Sequence, residues 1–159
     1  MKILKTFETE TAHIVRDAVS ERCKFNIHGH SYKWEVVISS GPLTQLNGMV
    51  LDFKELKPIK EFIDLFDHAT VFWSRESPIV IDFFKDHFKR VLVMRKNPTA
   101  ENMARLIMKY VTSWLFDNNH TKHGVFIDEV KVWETRTGCG IAEEFDSDDV
   151  LDYRHGDQN

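Results

Sequence analysis

The stretch Cys23–Ser39, "CKFNIHGHSYKWEVVIS", decides how the rest of the chain is read. From residue 28 onward it alternates with a period of two. His28, His30, Tyr32, Trp34, Val36 and Ile38 share one face, while Gly29, Ser31, Lys33, Glu35 and Ser39 fall mostly on the other. That pattern is a strand with one apolar side, and both histidines project from it. Same-face neighbours on a strand lie roughly 6.6–6.8 Å apart along its axis. Two imidazoles leaning together from such positions can reach one zinc ion at roughly 2.0–2.1 Å per bond. Gly29 leaves room for another segment or a ligand. His13, at the end of the preceding strand-like segment "MKILKTFETETAH", can supply a third nitrogen if a hairpin pairs those ends. Three histidines leave the fourth tetrahedral position open, as a catalytic zinc requires. A pair of exposed or core-satisfied histidines fits the same spacing, so both readings stay open at this point.

Outward from the strand, "GPLTQLNGM" supplies turn chemistry and the period then changes. Asp52 with Glu55 three residues later predicts a capping box, and Leu56, Ile59, Phe62, Ile63 and Phe66 recur at helical spacing. Pro58 predicts a short turn followed by the helix proper. A second helical piece, "SPIVIDFFKDHFKR", leads to the apolar run "VLVM". The clearest helix opens at Thr99 and carries Met103, Leu106, Ile107, Tyr110, Val111, Trp114 and Leu115 on one stripe. "GVFIDEVKVWETRT" is expected to be the last strand. The order predicts an α+β domain, an antiparallel sheet with helices on one face, spanning residues 1–142. The acidic segment 143–159 is expected to be a loose tail.

A chain of 159 residues with 42% apolar residues can bury one core of its own. No run approaches the roughly 18 apolar residues of a membrane span, and the start shows no signal-peptide pattern. Two cysteines in such a chain predict a reducing, cytoplasmic compartment. A net charge of −4, with no basic stripe, argues against nucleic acid as a partner. A bound phosphate remains compatible with a few local cations, of which Arg16, Arg22 and Lys24 are the candidates.

Other side chains are ambiguous taken singly. Cys23 lies in a polar segment. An ordinary thiol is only about 3% ionised at pH 7, so a thiol base needs a metal, Arg22 or Lys24 nearby. A bystander cysteine fits the same residues. Cys139, placed after the last strand, reads as structural. Asp67 and His68 end a helix. Neighbours in a helix do not face each other, so a histidine favoured at a helix C-terminus is the simpler reading. Glu134 shares a face with Val130 and Val132, and an inward carboxylate there must be paired or bind something, whether an internal arginine or a guanidine-like ligand edge. Glu101 reads as a first-turn helix acid. His120 and His123 read as a solvated turn, and nothing around His87 or His155 suggests chemistry.

Six pieces in order, "TAH" (11–13), "C....HGHSY" (23–32), "GMVLDF" (48–53), "FDH" (66–68), "PTAEN" (98–102) and "WET" (133–135), together resemble the 6-pyruvoyl-tetrahydropterin synthase / 6-carboxytetrahydropterin synthase family over about residues 5–137. The resemblance implies a tunnelling fold, a curved antiparallel sheet backed by two main helices. It also implies a homo-oligomer with active sites at subunit interfaces and a pterin substrate. By the same resemblance His13, His28 and His30 hold Zn2+ and Cys23 is the catalytic base. Asp67 and His68 relay the second proton, Glu134 anchors the amino-pyrimidine edge of the pterin, and Thr99 and Glu101 make further ring contacts. It points to 6-carboxytetrahydropterin synthesis from 7,8-dihydroneopterin triphosphate, with the 6-pyruvoyl product as the alternative on the same scaffold. A non-catalytic zinc- or pterin-binding module is the rival of another class. Residues of about 71–97 form a longer helical insertion with no role assigned.

Overall fold

The computed structural model describes residues 1–41 and 48–143. Most of the turn expected over 41–49, and the acidic tail from 144 on, lie outside the described residues. The elements run β1 (Lys2–His13), α1 (Glu21–Phe25), β2 (His28–Ser40), α2 (Lys57–Asp64), β3 (Thr70–Trp73), α3 (Pro78–His87), β4 (Val91–Met94), α4 (Ala100–Asp117), β5 (Val125–Trp133) and β6 (Cys139–Ala142). The strands make one curled sheet in the order β4-β3-β1-β2-β5-β6.

β1 and β2 form the long central hairpin, in register from Lys2 opposite Ser39 to His13 opposite His28. The expected alternation holds. Tyr32, Trp34, Val36 and Ile38 are buried on the helix-covered face with Phe7, while Ser31 and Lys33 are exposed. On β1 that face also carries a polar row, Thr9, Thr11 and His13, all buried. Each member is satisfied. The Trp34 indole N–H donates to Thr9 Oγ1 at 2.9 Å, Thr9 and Thr11 share a bond, and Thr11 Oγ1 donates to the Phe66 carbonyl at 2.9 Å.

Asp52 caps the turn Phe53–Leu56 with the reciprocal Glu55 contact the sequence predicted, and Pro58 sits in the first turn of α2. α2 and α4 cover one face of the sheet. Ile59, Phe62 and Ile63 of α2 and Met103, Ile107, Met108, Val111 and Leu115 of α4 share its core.

Two expectations are corrected. β5 is not the last strand, because β6 pairs with it, and Cys139 lies on β6 rather than after the sheet. Nor is the ladder antiparallel throughout, since β3 pairs parallel to β1 and β4 parallel to β3. The segment 71–97 holds most of β3, all of β4 and the crossover that joins these two parallel strands. Its helix α3 covers the reverse of the sheet there: Val71, Leu92 and Met94 face the main core, while Phe72 and Val91 pack with Ile81 and Phe84.

Candidate metal centre and active site

β1 ends, β2 begins and β5 finishes at the same end of the sheet, where α4 also starts. The pairing of His13 with His28, and of Thr11 with His30, brings three imidazoles into one cluster. Their ring centroids are 4.5, 5.2 and 5.1 Å apart, and one nitrogen from each lies within 4.8 Å of the other two.

Outside partners fix which nitrogens face inward. His13 Nδ1 lies 2.8 Å from the Pro98 carbonyl, and His28 Nδ1 lies 3.1 Å from the Asn26 carbonyl. A carbonyl only accepts, so both Nδ1 atoms carry the proton and both Nε2 atoms present lone pairs. Those two Nε2 atoms stand 3.1 Å apart. His30 Nε2 is buried with no hydrogen-bond partner. Lone pairs that converge at this distance repel unless a cation stands among them. Two nitrogens bound tetrahedrally at roughly 2.0–2.1 Å are themselves about 3.3 Å apart, so the donor set fits a metal ion such as zinc.

Electrostatics favour the ligating form. Burial pushes the pKa of His13 and of His30 below the ordinary 6.5, against the opposing pull of Glu134 on both and of the Pro98 carbonyl on His13. Burial thus favours the neutral form of His13 and His30, the form in which a histidine ligates a metal.

Glu134 lies one residue beyond β5. Its Oε1 accepts from the Tyr32 hydroxyl at 3.1 Å and stands 3.4 Å from His13 Nε2 and 3.9 Å from His30 Nε2. The inward carboxylate is thus paired with a phenol rather than an arginine. Tyr32 carried no signal beyond its place on the apolar face, yet its buried hydroxyl, also 3.2 Å from His13 Nδ1, joins the carboxylate to the histidines. Burial, and then the negative charges of Glu134 and Glu101, push the phenol pKa up, so it remains a proton donor. Glu101 sits in the first turn of α4, behind Thr99, whose Oγ1 accepts from the Asn102 N–H as the helix cap. Gly140 of β6 lies directly against that turn: a Cβ there would stand 2.4 Å from the Glu101 nitrogen.

Cys23 is on α1, within the 14–27 connection, and its carbonyl accepts from the Val15 N–H at 3.2 Å. Its sulfur is not part of the three-histidine group. Asp67 and His68 are bonded directly, Oδ2 to Nδ1 at 2.9 Å. The helical-neighbour argument does not apply, because α2 stops at Asp64 and Asp67 and His68 lie in the turn beyond it, His68 at φ 55°. Asp67 Oδ1 also accepts from the Glu10 N–H, and that bond, with His68 next, holds its carboxyl below the ordinary range. Glu10 and Ser31, bonded to each other, lie on the face opposite the histidines, and the His68 side chain is 73% exposed. Within one chain the dyad is turned to solvent beside that face.

A curled sheet with its two main helices on one face, and at one end three histidines that could hold a metal ion, defines the class of scaffold. The 6-pyruvoyl tetrahydropterin synthase family matches residues 2–144, and this chain belongs to that family. A Helicobacter pylori protein named 6-carboxy-5,6,7,8-tetrahydropterin synthase is 37% identical over 91% of this chain and 72% of its own. A Haemophilus influenzae protein of the same name is 36% identical over 89% of this chain and 99% of its own. Among solved structures, an uncharacterized Wolinella succinogenes protein superposes with a TM-score of 0.75 at 22% identity, covering 90% of this chain and 97% of its own. The 6-pyruvoyltetrahydropterin synthase of Plasmodium vivax does so at 0.69 and 15%, covering 91% and 98%. Those two likenesses concern the fold. Among the described residues no helix is long and apolar enough to cross a membrane.

Proposed function

We propose that this chain is a zinc-dependent, cytoplasmic 6-carboxy-5,6,7,8-tetrahydropterin synthase. In this reading it converts 7,8-dihydroneopterin triphosphate to 6-carboxytetrahydropterin, acetaldehyde and triphosphate, a lyase step toward queuosine and related deazapurines. The observation that carries it is the convergence of two Nε2 lone pairs and the partnerless His30 Nε2 at the end of the sheet. The names of the curated relatives support the carboxy product.

His13, His28 and His30 hold the ion, with the Pro98 and Asn26 carbonyls keeping two of the rings in the ligating tautomer. Zinc supplies Lewis-acid polarisation of the hydroxylated side chain, which acidifies its C–H bonds. Glu134 receives the amino-pyrimidine edge of the pterin, positioned by the Tyr32 hydroxyl, with Thr99 and Glu101 bordering the ring. Cys23 takes a carbon-bound proton as base, and His68, oriented by Asp67, handles the complementary transfer. Since the dyad of one chain lies beside the face opposite its own histidines, it would serve a neighbouring copy. That placement supports a homo-oligomer with active sites shared between subunits.

The test is product analysis on zinc-loaded protein given dihydroneopterin triphosphate. Acetaldehyde with the 6-carboxy product is expected. Substrate consumption without acetaldehyde would instead select the 6-pyruvoyl product, the name borne by the matched family. Cys23→Ala is expected to keep zinc and pterin binding while losing turnover, and unchanged turnover removes Cys23 as the base.

A further inference from the structure

Arg16 is three residues past His13 and Glu76 lies in the turn between β3 and α3, inside the insertion. Arg16 Nε donates to Glu76 Oε2 at 2.7 Å, and Arg16 Nη1 donates to the Lys24 carbonyl at 2.8 Å, one residue from Cys23. Glu76 is nearly buried, its side chain 6% exposed, and its other oxygen accepts from the Ser77 N–H at 2.9 Å. The backbone of Arg16 is held as well. Its N–H donates to Asn97 Oδ1 at 3.2 Å, its carbonyl accepts from Asn97 Nδ2, and Asn97 in turn accepts from Asn102 of α4 through its carbonyl. The guanidinium expected as a triphosphate cation is therefore committed to a carboxylate and a backbone carbonyl.

A buried ion pair is weak evidence for stability, because desolvation offsets much of the Coulomb attraction. Its distinctive product is fixed geometry. A guanidinium presents several N–H groups in a rigid plane, so the position of Glu76 dictates where the Lys24 carbonyl must lie. The segment so fixed is irregular. α1 has only five residues, none of them buried, and no side-chain cap. Its other ties are backbone bonds, from the Val15 N–H to the Cys23 carbonyl and from the Cys23 and Lys24 N–H groups to the Ser20 carbonyl.

We propose that Arg16 and Glu76 are positioning residues by which the 71–97 insertion sets the place of the Cys23-bearing segment beside the histidine centre. The inference rests on the reading of Cys23 as the base. Arg16→Lys keeps an ion pair with Glu76 but cannot reach both acceptors, and Glu76→Gln keeps the shape while removing the charge.

The test compares each variant with the parent, metal-loaded enzyme. Site-resolved iodoacetamide labelling of Cys23 is read by mass spectrometry against Cys139 on β6 in the same sample, alongside kcat, KM and metal content. The expected result is a Cys23-to-Cys139 labelling ratio altered about threefold or more and kcat lowered roughly tenfold, with KM and metal content held. A ratio and kcat both within about twofold of parent, whatever the melting temperature does, overturn the proposal. So does a rise in KM alone, which would return Arg16 to triphosphate binding. If Glu76→Gln fails to fold, Arg16→Lys decides. Cys23→Ser run in parallel separates the two claims: retained turnover there defeats the base assignment, while the labelling ratio still judges the clamp.

Discussion

Gly140→Ala tests how closely β6 is fitted to the start of α4. The added Cβ would stand 2.4 Å from the Glu101 nitrogen, 2.5 Å from the Ala100 carbonyl carbon and 2.7 Å from the Glu101 Cα. Ordinary carbon contacts are roughly 3.5–4.0 Å, so the strand and helix must separate by about 1 Å. All three obstructing atoms are backbone, so no side chain can swing aside. Overpacking of this kind costs typically about 1–3 kcal/mol, and the rigidity places this case near the upper end. At about 2–4 °C per kcal/mol for a chain of this size, the melting temperature should fall by roughly 6–12 °C. Metal-free protein at fixed concentration, followed by circular dichroism, gives the measurement. Gly41→Ala, where nothing lies within 4 Å, is the control. The same shift would move Pro98, whose carbonyl holds His13 in its tautomer, and metal affinity should drop about tenfold. A Gly140→Ala protein melting within about 2 °C of the parent would refute the reasoning.

Three further outcomes are expected. Zinc at about 100 times its dissociation constant should stabilise the chain by about 2.7 kcal/mol, and a chelator should reverse the gain; His30→Ala should lose most of that shift in a thermal melt, and an undiminished shift would mean the ion sits elsewhere. Tyr32→Phe removes the donor to Glu134 and should cost about 1 kcal/mol in denaturant unfolding. It should keep the metal and raise KM for the pterin several-fold; metal loss with KM unchanged would place the hydroxyl's role at the ion instead. The Glu76 carboxyl is held below its ordinary 4.5, chiefly by the Arg16 hydrogen bond, so the folded chain binds fewer protons there than the unfolded one. Its contribution is fully present above pH 4.5 and lost as pH falls through the lowered value, so Glu76→Gln should flatten the stability curve on the acid side of 4.5, and parallel curves would contradict this.

The parts legible in the sequence were those with a strong local signature. The alternation through His28–Ile38, the Asp52–Glu55 cap and the stripe of α4 each announce themselves within a dozen residues. β3 and β6 did not, because four residues are too few to show a period. Nothing in "TVFW" or "VLVM" says that both faces will be covered, or that the pairing will be parallel. Of the site, the histidines were visible because strand geometry alone groups them. The Asp67–His68 bond was hidden because the apolar spacing carries the helix on to Phe66, whereas α2 stops at Asp64 and the dyad lies in a turn. Tyr32 read as core, and Arg16 with Glu76 are brought together by tertiary placement across 60 residues.

The pairing of His13 with His28 has a bearing on how the chain reaches its native state. The 14–27 connection is too long for a tight turn to dictate alignment. A slip of one residue would throw both histidines of β2 to the opposite side, and a slip of two would leave His13 without its neighbour. Only one alignment offers all three nitrogens together. An ion that requires the full set would therefore stabilise the correctly zipped hairpin alone and leave every mispaired form without its binding energy.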